Sequence, residues 1–276
     1  MPPPRGPIHR RRRPRRRPDT RLSGSSGSLP GGVLFKPLIA DPRWPHFSAT
    51  WQRYIGDAKL KDAGSATFGE SFSFYRVALG SGLWEIGLHA AVFAVFNLDG
   101  NSTELVNADY MVGIPLTYRY EGFSAMLRVF HQSSHLGDEF LLRTSTERIN
   151  VRYESVDLKL SYEFGDLFRL YAGAGYLFDR EPASLEPFSI QYGAEVASPW
   201  PSRAARWRPI AAVDVQNRQE NAWSADVSAR AGIQIDGVLL TQNLQILFEY
   251  FTGHSPNGQF YRDRVSYFGI GAHLHF

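Results

Sequence analysis

Phe268-Gly269-Ile270-Gly271-Ala272-His273-Leu274-His275-Phe276 is the stretch whose reading decides the fold. Every even position is apolar and every odd one is Gly or His, up to a terminal Phe. Side chains of a strand alternate between its two faces, so this is a strand with one greasy face and one polar or empty face. A last strand that ends on an aromatic, with no tail behind it, is the pattern of a strand that closes a barrel in a membrane. Even positions are then expected to face lipid and odd ones the lumen.

The composition agrees. Aromatic residues make up 14% of the 276 residues, and membrane barrels carry aromatic girdles at both interfaces. The longest apolar run, Ala90 to Phe96, is strand-sized, far short of the roughly 18 residues a spanning helix needs. A spanning chain of this kind must be a closed barrel, because open sheet edges cannot face hydrocarbon. There is no Cys, which excludes disulfides and thiol chemistry.

Working back from the terminus, alternating segments recur at 47–55, 66–79, 83–96, 106–119, 122–133, 148–164, 168–178, 187–197, 207–216, 223–235, 243–252 and 263–276. That predicts an all-β fold, a single transmembrane antiparallel up-and-down barrel of about twelve strands over 47–276 in the bacterial outer membrane. Gly80-Ser81-Gly82, Glu121-Gly122 and Gly165-Asp166 read as tight periplasmic turns, and 56–65, 97–105, 134–147 and 253–262 as longer external loops. The connection 198–206 is too long for a turn. Residues 33–46, broken by Pro37, Pro42 and Pro45, read as a periplasmic lead-in.

Residues 1–32 are rich in Arg, Pro, Gly and Ser, a disordered composition. Nine of the chain's 30 basic residues lie in 1–21 against one acid, so the remainder holds 21 basic and 26 acidic side chains. The folded part is acidic, which argues against a nucleic-acid partner. No apolar stretch of the kind a signal peptide needs follows the Arg run. This segment is expected to be a leader or the product of a misassigned start.

Parity also locates the candidate site. The segment 122–133 puts Phe123, Ala125, Leu127 and Val129 on its lipid face, and the same parity carries His131 and Ser133. Polar groups facing lipid cost free energy and invite a functional question. A symmetric hairpin about 134–147 would set Asn150 opposite His131 and Glu154 four residues deeper. Serine, histidine and an orienting Asn or Glu are the parts of a nucleophilic triad. Ser133 is the expected nucleophile, His131 the base and Asn150 the orienting group. Glu154, His135 and Arg152 are expected to contact substrate or order the loop. Asp138 and Glu139 are weak candidates for Ca²⁺. The bland reading is that these polar groups reach a solvated interface and do no chemistry. His273 and His275 share a face; they read as lumen residues near the periplasmic end, with metal binding the minor alternative.

Two resemblances extend this. Leu34-Phe35-Lys36-Pro37-Leu38-Ile39-Ala40-Asp41-Pro42-Arg43, Phe68-Gly69-Glu70-Ser71-Phe72, Asn107-Ala108-Asp109-Tyr110 and His131 to Phe140 resemble the bacterial family called domain of unknown function 1207. That likeness implies location and fold more than activity. Locally, His131-Gln132-Ser133 is similar to the His-x-Ser-Asn core of outer-membrane phospholipase A and of the lipid A 3-O-deacylase barrel. The resemblance implies a Ser–His pair on the outer barrel face and, from phospholipase A, twelve strands with an Asn on the next strand. Here Ser134 stands where those motifs have Asn, and Asn150 sits further along than their spacing places it. The expected function is hydrolysis of lipid acyl esters, with outer-membrane lipids and the barrel assembly machinery as partners. The alternative is a non-catalytic barrel, a small pore, structural protein or adhesin. The oligomeric state is left open.

Overall fold

In a computed structural model of the chain, the closing strand pairs on both sides. The structure describes residues 26–56, 60–100, 103–144, 148–201, 205–239 and 242–275; residues 1–25 and the terminal Phe276 lie outside it. A two-residue strand β1 (Gly27–Ser28) precedes twelve barrel strands: β2 (Phe47–Tyr54), β3 (Asp62–Leu79), β4 (Gly82–Asn97), β5 (Glu104–Tyr120), β6 (Phe123–Leu136), β7 (Val151–Phe164), β8 (Phe168–Glu181), β9 (Phe188–Ala197), β10 (Trp207–Arg218), β11 (Ala225–Leu239), β12 (Gln242–His254) and β13 (Arg264–His275). Each pairs antiparallel with its sequence neighbour, and β13 returns to β2 with Ile270 opposite Trp51, so the wall has no open end. Among the described residues, β1 pairs only with β3.

The faces follow the expected parity. Ile114, Leu116, Leu127, Val129, Leu158, Leu160, Phe248 and Ile270 point outward and are exposed. Their strand neighbours Thr117, Arg128, Asp157, Lys159, Glu249 and Gln245 are buried in the lumen. Exposed apolar side chains around a whole wall are stable only where hydrocarbon replaces water. Aromatic pairs mark the short-turn rim, among them Trp84–Tyr118 (ring centroids 4.9 Å apart) and Tyr162–Phe164 (4.8 Å). Gly80 and Gly165 take positive φ in the tight turns there, which an L side chain would strain. The opposite rim carries the longer loops, including helix α1 (Asp138–Thr144). Outer-membrane barrels keep short turns periplasmic and long loops outside, which orients the chain.

The segment 33–46 runs inside the barrel, not ahead of it. Leu34, Phe35, Leu38 and Trp44 are fully buried, and the last three pack with Met126 and Tyr171 from the wall. Three wall arginines take its carbonyls: Arg119 donates to Leu34 O (3.0 Å), Arg169 to Pro37 O (2.9 Å) and Lys36 O (3.0 Å), and Arg230 to Ile39 O (2.8 Å). Arg43 reaches Asp109 at 2.8 Å. The remaining lumen charges pair across strands, as in Arg76–Glu85, Arg128–Asp157, Arg169–Glu195 and Arg230–Glu249. Prolines deny this segment a strand period, so nothing in its sequence signalled that its apolar residues had lumen partners.

Candidate functional site

The long-loop ends of β6, β7 and β8 build one polar patch on the lipid-facing side. β6 runs three residues beyond its expected end, to Leu136, and keeps its parity throughout. His131, Ser133 and His135 therefore share the outer face with Leu127 and Val129, while Gln132 and Ser134 are buried inside. The backbone here is pinned from the lumen: Gln259 donates to Ser134 O (2.9 Å) and Ile149 O (2.7 Å), and Ser134 Oγ donates to Asn107 Oδ1 (3.2 Å).

His131 lies directly opposite Glu154, and Ser133 opposite Arg152. The imidazole Nδ1–H donates to Glu154 Oε1 at 2.7 Å, with the two side chains 38% and 33% exposed. A carboxylate only accepts, so this bond fixes the tautomer and leaves the Nε2 lone pair free. On the far side of Ser133 stands Tyr110 of β5, whose ring meets His135 edge-on at 5.6 Å. Arg152 donates through Nε to Glu181 Oε2 (2.9 Å) and lies 3.7 Å from Asp179. Among the described residues Ser133 makes no side-chain hydrogen bond, so its hydroxyl and His131 Nε2 are not joined here.

The register corrects one expectation. Asn150 is not the partner of His131. It lies exposed before β7 begins, and the next residue, Val151, already pairs with Ser134. The 137–150 connection is asymmetric because α1 occupies its first half, with Phe140 buried under the loops. A symmetric hairpin is the wrong geometry for it, and Glu154 is the residue opposite His131. Asp138 and Glu139 sit exposed in the first turn of α1, where a negative charge favours the helix dipole. Among the described residues no group of three His, Asp or Glu has metal-binding spacing.

Asp179 and Glu181 escaped sequence reading for a definite reason. Parity from Leu170 to Tyr176 would send Asp179 inward. A bulge between the Glu154 and Ser155 pairings inserts Phe178 and flips the strand end outward. A bulge is one extra residue and leaves no periodic trace.

Residues 18–276 match the family described as Protein of unknown function (DUF1207). The chain belongs to this family. No curated protein matches it in sequence. Among solved structures, the calcium-bound outer membrane phospholipase dimer of Salmonella typhi is similar, at 12% identity and TM-score 0.59, with 87% of this chain and 94% of that one covered. The outer membrane phospholipase A of Escherichia coli is similar at 13% identity and TM-score 0.58, with coverage of 87% and 93%. At such identity the likeness shows a shared barrel fold. It also agrees with an outer-membrane location.

Proposed function

We propose that this barrel hydrolyses acyl esters of outer-membrane lipids, with Ser133 as nucleophile, His131 as base and Glu154 as orienting group. The observation that carries the reading is the His131–Glu154 hydrogen bond of 2.7 Å on the lipid-facing surface, on the same face as Ser133. Residues two apart on a strand face the same way and lie about 6.6 Å apart at Cα, within reach of a serine rotamer turn. Catalytic contacts are often open without substrate.

In the proposed reaction, Ser133 Oγ attacks the acyl carbonyl carbon as its proton passes to His131 Nε2. Glu154 holds the resulting imidazolium. The ester C–O bond then breaks, and the imidazolium returns the proton to the departing alkoxide, leaving acyl-Ser133. Water, deprotonated by the same Nε2, releases the fatty acid and restores the serine. Arg152, opposite Ser133, supplies the fixed positive charge for the oxyanion or a lipid phosphate. The Salmonella typhi relative is described with bound calcium, but the groups here do not fit that ion. The acids of this patch, Glu154, Asp179 and Glu181, are paired with His131 and Arg152.

A small pore is the weaker reading, because residues 33–46 and paired charges occupy the lumen between the walls. The test is fatty-acid release from phospholipid and lipid A by the refolded protein, with Ca²⁺ and with chelator. Release lost in Ser133→Ala supports the reading. Absence of hydrolysis, or release unchanged in that variant, overturns it.

A further inference from the structure

Four lumen arginines stand directly across from acids. Arg76 faces Glu85, Arg128 faces Asp157, Arg169 faces Glu195 and Arg230 faces Glu249. Arg208, at the periplasmic end of β10, differs. Its partner on β11 is Gln234. On the other side, the pairing with β9 ends at Ala197, opposite Ile210, so no β9 residue reaches the level of Arg208. Among the described residues Arg208 makes no hydrogen bond or ion pair, and its Nε is buried. A cation held against protein without a partner is costly and calls for an explanation.

The same row of residues carries a second orphan. Gln234 Nε2 donates to Asp236 Oδ1 at 2.7 Å. A carboxylate only accepts, so that bond fixes which way the Gln234 amide points. Gln234 Oε1 then accepts from Gln245 Nε2 at 3.1 Å, which leaves Gln245 Oε1 on the other side. That oxygen is buried without a hydrogen-bond partner, on a side chain whose residue is 5% exposed. The buried Nδ1 of His275 has no partner either. All three residues line one cavity of about 630 Å³ at the periplasmic rim, beside the Gly165 turn. The other charges of the cavity are matched: Lys36 pairs with Glu163 and Arg169 with Glu195, and Asp166 has a contact of its own.

The orphans define what would satisfy them. Arg208 asks for an anion, best a carboxylate that it can hold through two N–H groups. Gln245 Oε1 asks for a donor. A fatty acid supplies the first and not the second. The free end of a peptide supplies both, an α-carboxylate and an amide N–H next to it. β10 and β12 are two strand spacings apart, about 10 Å, and two inward side chains leave room between them for such an end. Ile210 and Ile39 offer apolar wall to a small aliphatic side chain. We propose that this cavity binds short peptides of the periplasm, two or three residues long, by their C-terminal carboxylate. Its volume is that of a small-ligand pocket, and capture of a terminal carboxylate is a recurring mode of peptide recognition.

The experiment is calorimetric titration of the refolded full-length protein with N-acetyl-Ala-Ala-Ala, its C-terminal amide, octanoate and inorganic phosphate. Expected is one tripeptide per chain, with the other three at least tenfold weaker. Arg208→Met and Gln245→Met should each weaken the tripeptide at least tenfold, with Arg262→Met at the opposite rim unchanged. Equal affinity for acid and amide, phosphate as tight as the tripeptide, or no saturable binding overturns the proposal. The acid–amide comparison uses wild-type protein, so it decides even if a variant does not fold.

Discussion

The hairpin of β6 and β7 carries two charged cross-strand pairs, one on each face. Arg128 and Asp157 oppose each other inside the barrel; His131 and Glu154 do so outside, three residues nearer the outer rim. The inner pair is two-pronged, at 3.1 and 2.7 Å, with Lys159 adding a third contact at 2.5 Å. The lumen buries both partners. The outer pair is a single hydrogen bond between half-exposed groups. The same backbone geometry thus serves two ends. The inner charges hold strands together, and neither can leave without stranding the other. The outer charges are dispensable to the wall, since an apolar residue would face lipid more cheaply. A charged pair kept where structure does not need it is the better functional candidate.

Four substitutions sharpen or break that contrast. Ser133→Ala is expected to cut acyl-ester hydrolysis at least about 10³-fold while the folded barrel keeps its gel mobility; retained activity would move the chemistry elsewhere. Arg128→Met should act on folding instead, costing about 3–5 kcal/mol because Asp157 is left buried with only Lys159, as read by urea unfolding in lipid vesicles, with activity per folded molecule maintained. If Arg128→Met leaves stability intact, the inner pair is not the fastener described. Glu154→Gln is expected to lower turnover about 10²-fold with the unfolding midpoint unmoved. A shift in stability without a change in turnover would make the outer pair structural and sink the contrast. Asn150→Ala should change neither rate nor stability beyond about 0.5 kcal/mol; a rate loss matching that of Glu154→Gln would restore Asn150 to the site.

The strands were legible because a barrel wall states its periodicity in every residue. Twelve alternating segments became twelve strands, and the parity that places Ser133 outside came directly from Leu127 and Val129. What resisted reading was aperiodic. The lumen segment hides behind Pro37, Pro42 and Pro45. The Phe178 bulge inverts the face of Asp179. The turn of α1 shifts the return strand so that Glu154, not Asn150, meets His131. The His131–Glu154 pairing depends on register across a long loop, and register is set by loop geometry that period-2 alternation does not encode.

The lumen segment lies immediately before β2, and β2 is the strand that β13 must find from the other end of the chain. Arg119, Arg169 and Arg230, which hold the segment, come from strands spread around the wall. Such distant pairings close long loops, whose entropic cost the rest of the sheet must offset. β13 holds β2, and β2 holds the end of the segment that occupies the interior. The seam that completes the cylinder is thus also the root of its plug.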